Sequence, residues 1–216
     1  MKSINKTIGD LRKDYNKSEL LESFCMETPF QQFELWMEEA LQSGVDEPHA
    51  MNLATVDENH APSSRIVLLR NVDKDGFVFF TNYTSKKGSS LNARRPAALN
   101  FFWPDVQRQI RIEGICERVS EKVSDEYFNS RPFESKIGAY ASQQSVRVSS
   151  REELDRLYDE LLKQNEDKSV KRPDYWGGYR LIPNYFEFWQ GRMSRLHDRI
   201  EYVIEDGQWN FYRLFP

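Results

Sequence analysis

Apolar positions recur along this chain with two different periods. In Thr28-Pro29-Phe30-Gln31 a hydroxyl residue precedes a proline, a glutamine stands third in the helix, and Phe30, Phe33, Met37, Ala40 and Leu41 follow at helical spacing to Gly44. A hydroxyl cap, a proline with no amide to leave unpaired, and a glutamine reaching back to the cap's own amide predict a helix start. From Ala50 the period shortens. Residues 50–56, 65–72, 77–83, 97–103 and 109–119 form short apolar or alternating runs, separated by tight polar breaks such as Asp73-Lys74-Asp75-Gly76. These are the marks of strands joined by hairpins.

In the last of these runs Ile110 and Ile112 share one parity while Ile115 and Val119 take the other, which predicts a bulge and a switch of inward phase near Gly114. Ser150-Arg151-Glu152-Glu153 opens a second helix, with Leu154, Leu157, Leu161 and Leu162 as its apolar stripe and a charged linker candidate over 165–172. Residues 179–182, 185–190, 195–204 and 209–214 then read as further strands. Residues 1–17 lack either period and predict a mobile arm, with folding of Arg12 and Tyr15 over a site as the alternative. Successive hairpins at this spacing favour a mainly β (α+β) protein, a small antiparallel barrel with flanking helices, over a parallel nucleotide-binding sheet.

A chain of 216 residues is long enough to bury a sizeable core without staples. Cys25 and Cys116 stand far apart, so neither a disulfide framework nor a zinc site is indicated, and a reducing cytoplasm is the expected location. No run approaches the length of a membrane span, and the N-terminus lacks the apolar core of a signal peptide. With 30 basic against 34 acidic side chains the net charge is -4, which gives no long-range attraction for nucleic acid or an anionic membrane. Aromatics reach 13% and several flank basic segments, a combination also found in single-strand binders, but the acidic balance weighs against that class.

The stretch Glu-Phe-Trp-Gln-Gly-Arg-Met-Ser-Arg-Leu-His-Asp-Arg, residues 187–199, gathers aromatic, amide, cationic and imidazole groups. Taken as a strand, it sets Arg195, His197 and Arg199 on one face, opposite Leu196, Asp198 and Ile200; the basic face either binds a planar or phosphorylated anion or is simply solvated. Three other segments bear on that choice. In 81–88 a strand ends and a helix begins at Ser85, aiming free backbone amides with Lys86 and Lys87 at one point, which is either an anion site or a solvated helix start. Arg65 and Arg70 flank an apolar strand core. Tyr127, Arg131, Ser135, Gln144 and Ser145 add hydroxyl, guanidinium and amide donors. Together these supply donors for two anionic groups. Both phosphate-loop signatures are missing, Ser194, His197 and Asp198 fall on opposite strand faces and form no triad, and His49, His60 and His197 have no metal-ligand spacing.

The order of Arg65 to Arg70, Phe79-Phe80-Thr81-Asn82, Ser85-Lys86-Lys87, Arg108-Gln109, Tyr127 to Pro132, Gln144-Ser145, Trp176-Gly177-Gly178 and residues 187–199 resembles the pyridoxamine 5'-phosphate oxidase family over nearly the whole chain. Arg-Leu-His-Asp-Arg following Glu-Phe-Trp-Gln-Gly is the most specific part, and the ending from Trp209 to Pro216 agrees. The resemblance implies an antiparallel Greek-key FMN-binding split barrel that forms a homodimer, with flavin at the subunit interface and both chains contributing to each site. It divides the chain into an arm at 1–17, a core at 18–165 and C-terminal strands at 166–216 that complete the site, as one structural unit.

The cofactor contacts it implies are Arg65, Ile66, Val67, Leu68, Leu69, Arg70, Phe80, Thr81, Lys86, Lys87, Gln109, Gln144, Ser145, Trp189 and Arg199. Arg70, Tyr127, Arg131 and Ser135 fall to the substrate phosphate, Arg195 and His197 to the pyridine ring as the catalytic pair, and Arg12 and Tyr15 to the covering arm. The implied reaction oxidises pyridoxamine 5'-phosphate and pyridoxine 5'-phosphate to pyridoxal 5'-phosphate, with FMN and molecular oxygen and without a metal, nucleic acid or membrane. Arg70 stands where that family usually has lysine, Lys86 where arginine is frequent and Phe80 where tyrosine occurs. Arg65 and Arg70 also differ in parity, so a flat strand cannot aim both at one ligand.

Overall fold

The computed structural model describes Tyr15 and residues 17–165 and 170–216, so Arg12, most of the expected arm and the middle of the linker lie outside the described residues. Five α-helices are described: α1 (Pro29–Gln42), α2 (Lys86–Ala93), α3 (Glu121–Ser130), α4 (Phe133–Ala141) and α5 (Arg151–Gln164). The strands are β1 (Ala50–Val56), β2 (Pro62–Leu68), β3 (Asn71–Asp73), β4 (Gly76–Asn82), β5 (Pro96–Trp103), β6 (Arg108–Arg118), β7 (Trp176–Gln190), β8 (Asp198–Glu205) and β9 (Gln208–Leu214). Hydrogen bonding orders them β2-β1-β5-β6-β7-β4-β3, with β8 paired to β7 and β9. The pairings β1–β2, β1–β5, β3–β4, β4–β7, β7–β8 and β8–β9 are antiparallel.

The helix starts follow the sequence. Thr28 and Gln31 form the reciprocal capping box, and Ser85 and Ser150 each accept an amide hydrogen bond from the third helical residue. Three strand expectations are corrected. The run 65–72 is two strands, because the chain leaves β2 after Leu68 and re-pairs as β3 with β4. The runs 179–182 and 185–190 are one strand, β7. The phase of β6 does not switch at Gly114: burial alternates without a break through Ile110, Ile112, Gly114 and Cys116, while Ile115 faces out. A Cβ on Gly114 would sit 2.1 Å from the Ile182 carbonyl oxygen, so the glycine marks a close backbone approach rather than a bulge.

The chain clusters into two compact units. One comprises Met1–Pro48, Phe101–Arg111 and Tyr185–Pro216. Its core is aromatic: the inner face of α1 sets Phe33 edge-on to Phe101 at 5.3 Å and Trp36 edge-on to Phe188 at 5.2 Å, and Tyr202 of β8 closes on Phe188 at 5.6 Å. Truncating Phe33 or Trp36 to alanine would cost about 3–5 kcal/mol. The other unit comprises His49–Asn100 and Ile112–Asn184, and buries Met51, Leu53, Phe77, Phe79, Leu99, Ile112, Phe128 and Leu181.

Candidate functional site

The β1–β2 hairpin places Arg65 opposite Leu53. From there its guanidinium donates to the Leu53 carbonyl at 3.0 Å, to Thr55 Oγ1 at 2.8 Å and to Ser63 Oγ at 2.6 Å. Ser63 lies two residues before Arg65 on the same strand face, and Thr55 comes from the facing strand. Neither hydroxyl is singled out by the sequence, although the alternation of β2 points to Ser63. Burial depresses the Arg65 pKa.

At the start of α2, Lys87 is buried; its Nζ donates to Gln144 Oε1 at 2.6 Å and Thr81 Oγ1 at 3.2 Å, and Thr81 Oγ1 donates to the same amide oxygen at 3.0 Å. Burial, reinforced by the Arg65 charge, pushes Lys87 down to about 8. The expected free amides are not free, since Lys86 N–H donates to Ser145 Oγ at 3.1 Å and Gly88 N–H to Ser85 Oγ at 3.3 Å. Lys86 itself points to solvent, so the donor this helix start offers is the Lys87 ammonium. Ser145 takes φ 75°, a left-handed conformation costly for serine, which marks a constrained loop at this point.

Arg70 and Arg131 form a second cationic pair. Because β2 ends at Leu68, Arg70 escapes the strand parity that set it against Arg65; its backbone N–H donates to the Val78 carbonyl at 2.8 Å and its side chain is exposed. Arg131 caps the C-terminus of α3, with its guanidinium 4.8 Å from the Trp176 ring centroid. Burial lowers the Arg131 pKa, with Tyr127 opposing that shift and Arg70 adding to it. Its NH1 is buried and has no hydrogen-bond partner among the described residues. Phe80 stacks on Tyr127 at 3.9 Å and 16°. Ser135 lies half-buried in the first turn of α4. Along 66–69, Ile66 is exposed, Val67 and Leu68 are half-buried and Leu69 is buried. No carboxylate lies within ion-pair distance of Arg65, Arg70, Lys87 or Arg131 among the described residues.

The other unit carries an aromatic and imidazole wall. Tyr15 packs edge-on against Trp189 at 5.8 Å and against His197 at 5.7 Å, and Trp189 lies 4.6 Å from His197. The expected strand over 195–204 starts only at Asp198. Met193–Arg195 forms a single 3-10 turn, with Ser194 at φ 58° and Arg195 at φ 61°. The continuous basic face is therefore not formed: Arg195 leaves the turn into solvent, and Leu196, expected on the opposite strand face, is 69% exposed. The Arg192 amide donates to His197 Nδ1 at 3.1 Å, so the neutral ring carries its proton on Nε2. Burial first, and Arg195 next, hold His197 below the ordinary histidine pKa. Ser194 is exposed and Asp198 is engaged by Leu20 N–H and Arg213, in keeping with the absence of a triad.

Arg199 is not a spare cation. It pairs at two points with Glu187, a carboxylate that the sequence analysis quoted but did not assign, and Arg111 joins the same group. Trp189 stands directly opposite Arg199 across β7 and β8, and Glu187 is the diagonal neighbour two residues away. Gln109 lies half-buried on β6, on the strand face opposite Arg108 and Ile110. Among the described residues no cluster of metal-ligating side chains occurs, and no helix is long and apolar enough to cross a membrane.

Residues 37–164 match the family described as pyridoxamine 5'-phosphate oxidase, and residues 176–216 match the pyridoxine 5'-phosphate oxidase C-terminal dimerisation region. The pyridoxine/pyridoxamine 5'-phosphate oxidase of Neisseria meningitidis serogroup B is 50% identical over 97% of this chain and 99% of that protein. The protein of the same name from Actinobacillus succinogenes is 52% identical with the same coverage. Among solved structures, PhzG from Burkholderia lata 383, in complex with tetrahydrophenazine-1-carboxylic acid, superposes with a TM-score of 0.87 at 29% identity over 93% of this chain and 100% of that one. A pyridoxamine 5'-phosphate oxidase-related, FMN binding protein from Nostoc punctiforme shares the fold at 15% identity, with a TM-score of 0.69. The antiparallel split barrel with flanking helices is thus the observed fold, and the chain belongs to the pyridoxamine 5'-phosphate oxidase family.

Proposed function

We propose that this chain is an FMN-dependent oxidase converting pyridoxamine 5'-phosphate and pyridoxine 5'-phosphate to pyridoxal 5'-phosphate, with oxygen as acceptor and hydrogen peroxide as product. The observation that carries the reading is the presence of two cationic pairs without carboxylates, Arg65 with Lys87 and Arg70 with Arg131, of which three members are depressed by burial. Buried cations kept from carboxylates are costly unless an anion arrives. Two such pairs suit two phosphates, one on a cofactor and one on a substrate.

Arg65, Thr81 and Lys87 fit the FMN phosphate, because Lys87 donates to the Thr81 hydroxyl and feels the Arg65 charge, which sets two cations beside one hydroxyl. The segment from Ile66 to Arg70, with Phe80, Lys86, Gln109, Gln144, Ser145, Trp189 and Arg199, makes up the rest of its contacts. Bound there, FMN would supply a two-electron acceptor for the substrate carbon that oxygen can reoxidise. The alcohol substrate then needs only oxygen, whereas the amine also takes up water and releases ammonia.

The chain's own work is grip and alignment. Arg70, Tyr127, Arg131 and Ser135 hold the substrate phosphate, which fixes the ring's approach and replaces a bimolecular encounter. Arg195 and the Nε2–H of His197 face the pyridine ring and stabilise charge as the carbon becomes an aldehyde. Arg12 and Tyr15 cover the site. The enzyme acts as a homodimer in the cytoplasm, with both protomers contributing to each site. The test is the identity of the chromophore that co-purifies, followed by an assay for pyridoxal 5'-phosphate and peroxide. FMN with equal yields of both supports the reading. A yellow protein inert toward both substrates would make the chain an FMN-binding relative without this activity, and a colourless one would remove the flavin.

A further inference from the structure

Arg131, like Arg118 over the Tyr83 ring, is held by an aromatic face and not by a carboxylate. Arg172 is paired with Glu121 and Asp125 of α3, and Arg180 with Asp73. Arg131 has aromatic rings instead: its guanidinium carbon is 4.8 Å from the Trp176 centroid and 5.7 Å from that of Phe128. A carboxylate would occupy two N–H groups and cancel the charge, whereas an aromatic face attracts the cation and leaves its in-plane donors unused. The Arg131 NH1 is buried and has no hydrogen-bond partner among the described residues.

The Trp176 ring is itself fixed. It is 8% exposed, lies parallel to Tyr127 within 3° and to Phe80 within 13°, and meets Phe128 edge-on at 5.2 Å. Its backbone is clamped too, as the N–H donates to the Pro173 carbonyl at 2.9 Å and the carbonyl accepts from Arg172 NH1 at 2.6 Å. Arg172 is anchored to α3, the helix that ends at Arg131, so one helix carries the cation and pins the ring beneath it. Gly178 keeps Phe80 in the stack, because a Cβ there would sit 2.9 Å from that ring.

We propose that Trp176 is a positioning residue for the substrate phosphate: its ring holds the Arg131 guanidinium by one face, which keeps the in-plane N–H groups free of carboxylates for a phosphate oxygen. This inference rests on the assignment of Arg131 to the substrate phosphate.

The test uses the FMN-saturated full chain with pyridoxamine 5'-phosphate as substrate and inorganic phosphate as competitive inhibitor. Losing the aromatic face in Trp176→Leu should raise both KM and the phosphate inhibition constant about three- to tenfold while leaving kcat within about twofold. Trp176→Phe, which retains a ring, should recover most of the loss. The smaller effect of Trp176→Phe should vanish in an Arg131→Met background, because the residues act as one unit. A Trp176→Leu enzyme with unchanged phosphate inhibition would overturn the proposal, as would a Trp176→Phe effect of equal size with and without Arg131. Where Trp176→Leu does not fold, the Phe variant and its double mutant decide alone. If Arg131→Met by itself changed neither constant, the phosphate assignment would fail, and this inference with it.

Discussion

Glu187 accepts hydrogen bonds from two nitrogens of Arg199: Nε reaches Oε1 and NH2 reaches Oε2, each at 2.9 Å. Arg111 NH1 adds a third at 2.9 Å to Oε2. The carboxylate side chain is only 3% exposed, while those of Arg199 and Arg111 are 27% and 41% exposed. A ligand meeting Arg199 therefore meets a fixed, neutralised pair rather than a mobile cation. Glu187→Gln keeps the shape and removes the charge. With both arginines partly solvated, the loss should be about 1–2 kcal/mol, or roughly 2–8 °C in Tm for a chain of this size. Thermal melting checks this, and an unchanged Tm would mean that water already screens the cluster.

Lys87 gives a pH dependence. Its folded pKa lies near 8, below the ordinary lysine value of 10.5, so the unfolded chain binds more protons between those values. The stability of the flavin-free protein should therefore rise as pH increases from about 8 to 10.5, and the cost of burying the charge is fully felt below 8. A phosphate selects the protonated form. FMN affinity should fall about tenfold per unit above pH 8, with proton uptake on binding at about pH 9. Calorimetry in buffers of different ionisation enthalpy measures that uptake; its absence would separate Lys87 from the cofactor phosphate.

His197 offers its Nε2–H because the Arg192 amide occupies Nδ1. Asparagine can still accept that amide but cannot reach the Nε2 position, whereas glutamine can. His197→Asn should thus lose about tenfold or more in kcat/KM and His197→Gln less, with FMN occupancy unchanged in both. Since Arg195 helps to hold the His197 pKa down, Arg195→Leu should move the imidazole titration to higher pH, which NMR can follow. A shift the other way would contradict the arrangement.

What could be read from the sequence was local. The capping box at Thr28 and Gln31 and the cap at Ser85 need only neighbours within one turn, and both are present. The parity conflict between Arg65 and Arg70 assumed one unbroken strand, whereas the chain leaves β2 at Leu68 to join β4, a choice made by partners distant in sequence. For the same reason Arg199 looked free: its partner Glu187 is a cross-strand diagonal, visible only once the register of β7 and β8 is known. The turn at Ser194 and Arg195 depends on positive φ at two non-glycine residues, which periodicity does not signal. Whether Arg12 joins Tyr15 over the site lies outside the described residues.

Arg70 is exposed and carries no side-chain hydrogen bond among the described residues, so its guanidinium is available to an incoming phosphate. Arg70→Lys keeps the charge and should change KM by a factor equivalent to about 1 kcal/mol or less. Arg70→Met removes a charge-assisted bond of roughly 1.5–3 kcal/mol and should raise KM about tenfold or more. Steady-state kinetics at saturating FMN decides; an unchanged KM in the methionine variant would take Arg70 out of the substrate site.

The central claim is that the two cationic pairs hold two phosphates and so align substrate with cofactor. Its most direct test is anaerobic mixing of the FMN-loaded protein with pyridoxamine 5'-phosphate or with pyridoxamine, following loss of the oxidised flavin absorbance. The phosphorylated amine should bleach the flavin and yield one pyridoxal 5'-phosphate per FMN, with pyridoxamine at the same concentration about a hundredfold slower or worse, as expected when two charge-assisted contacts are lost. Equal rates for the two amines, or no bleaching by the phosphorylated one, would contradict it.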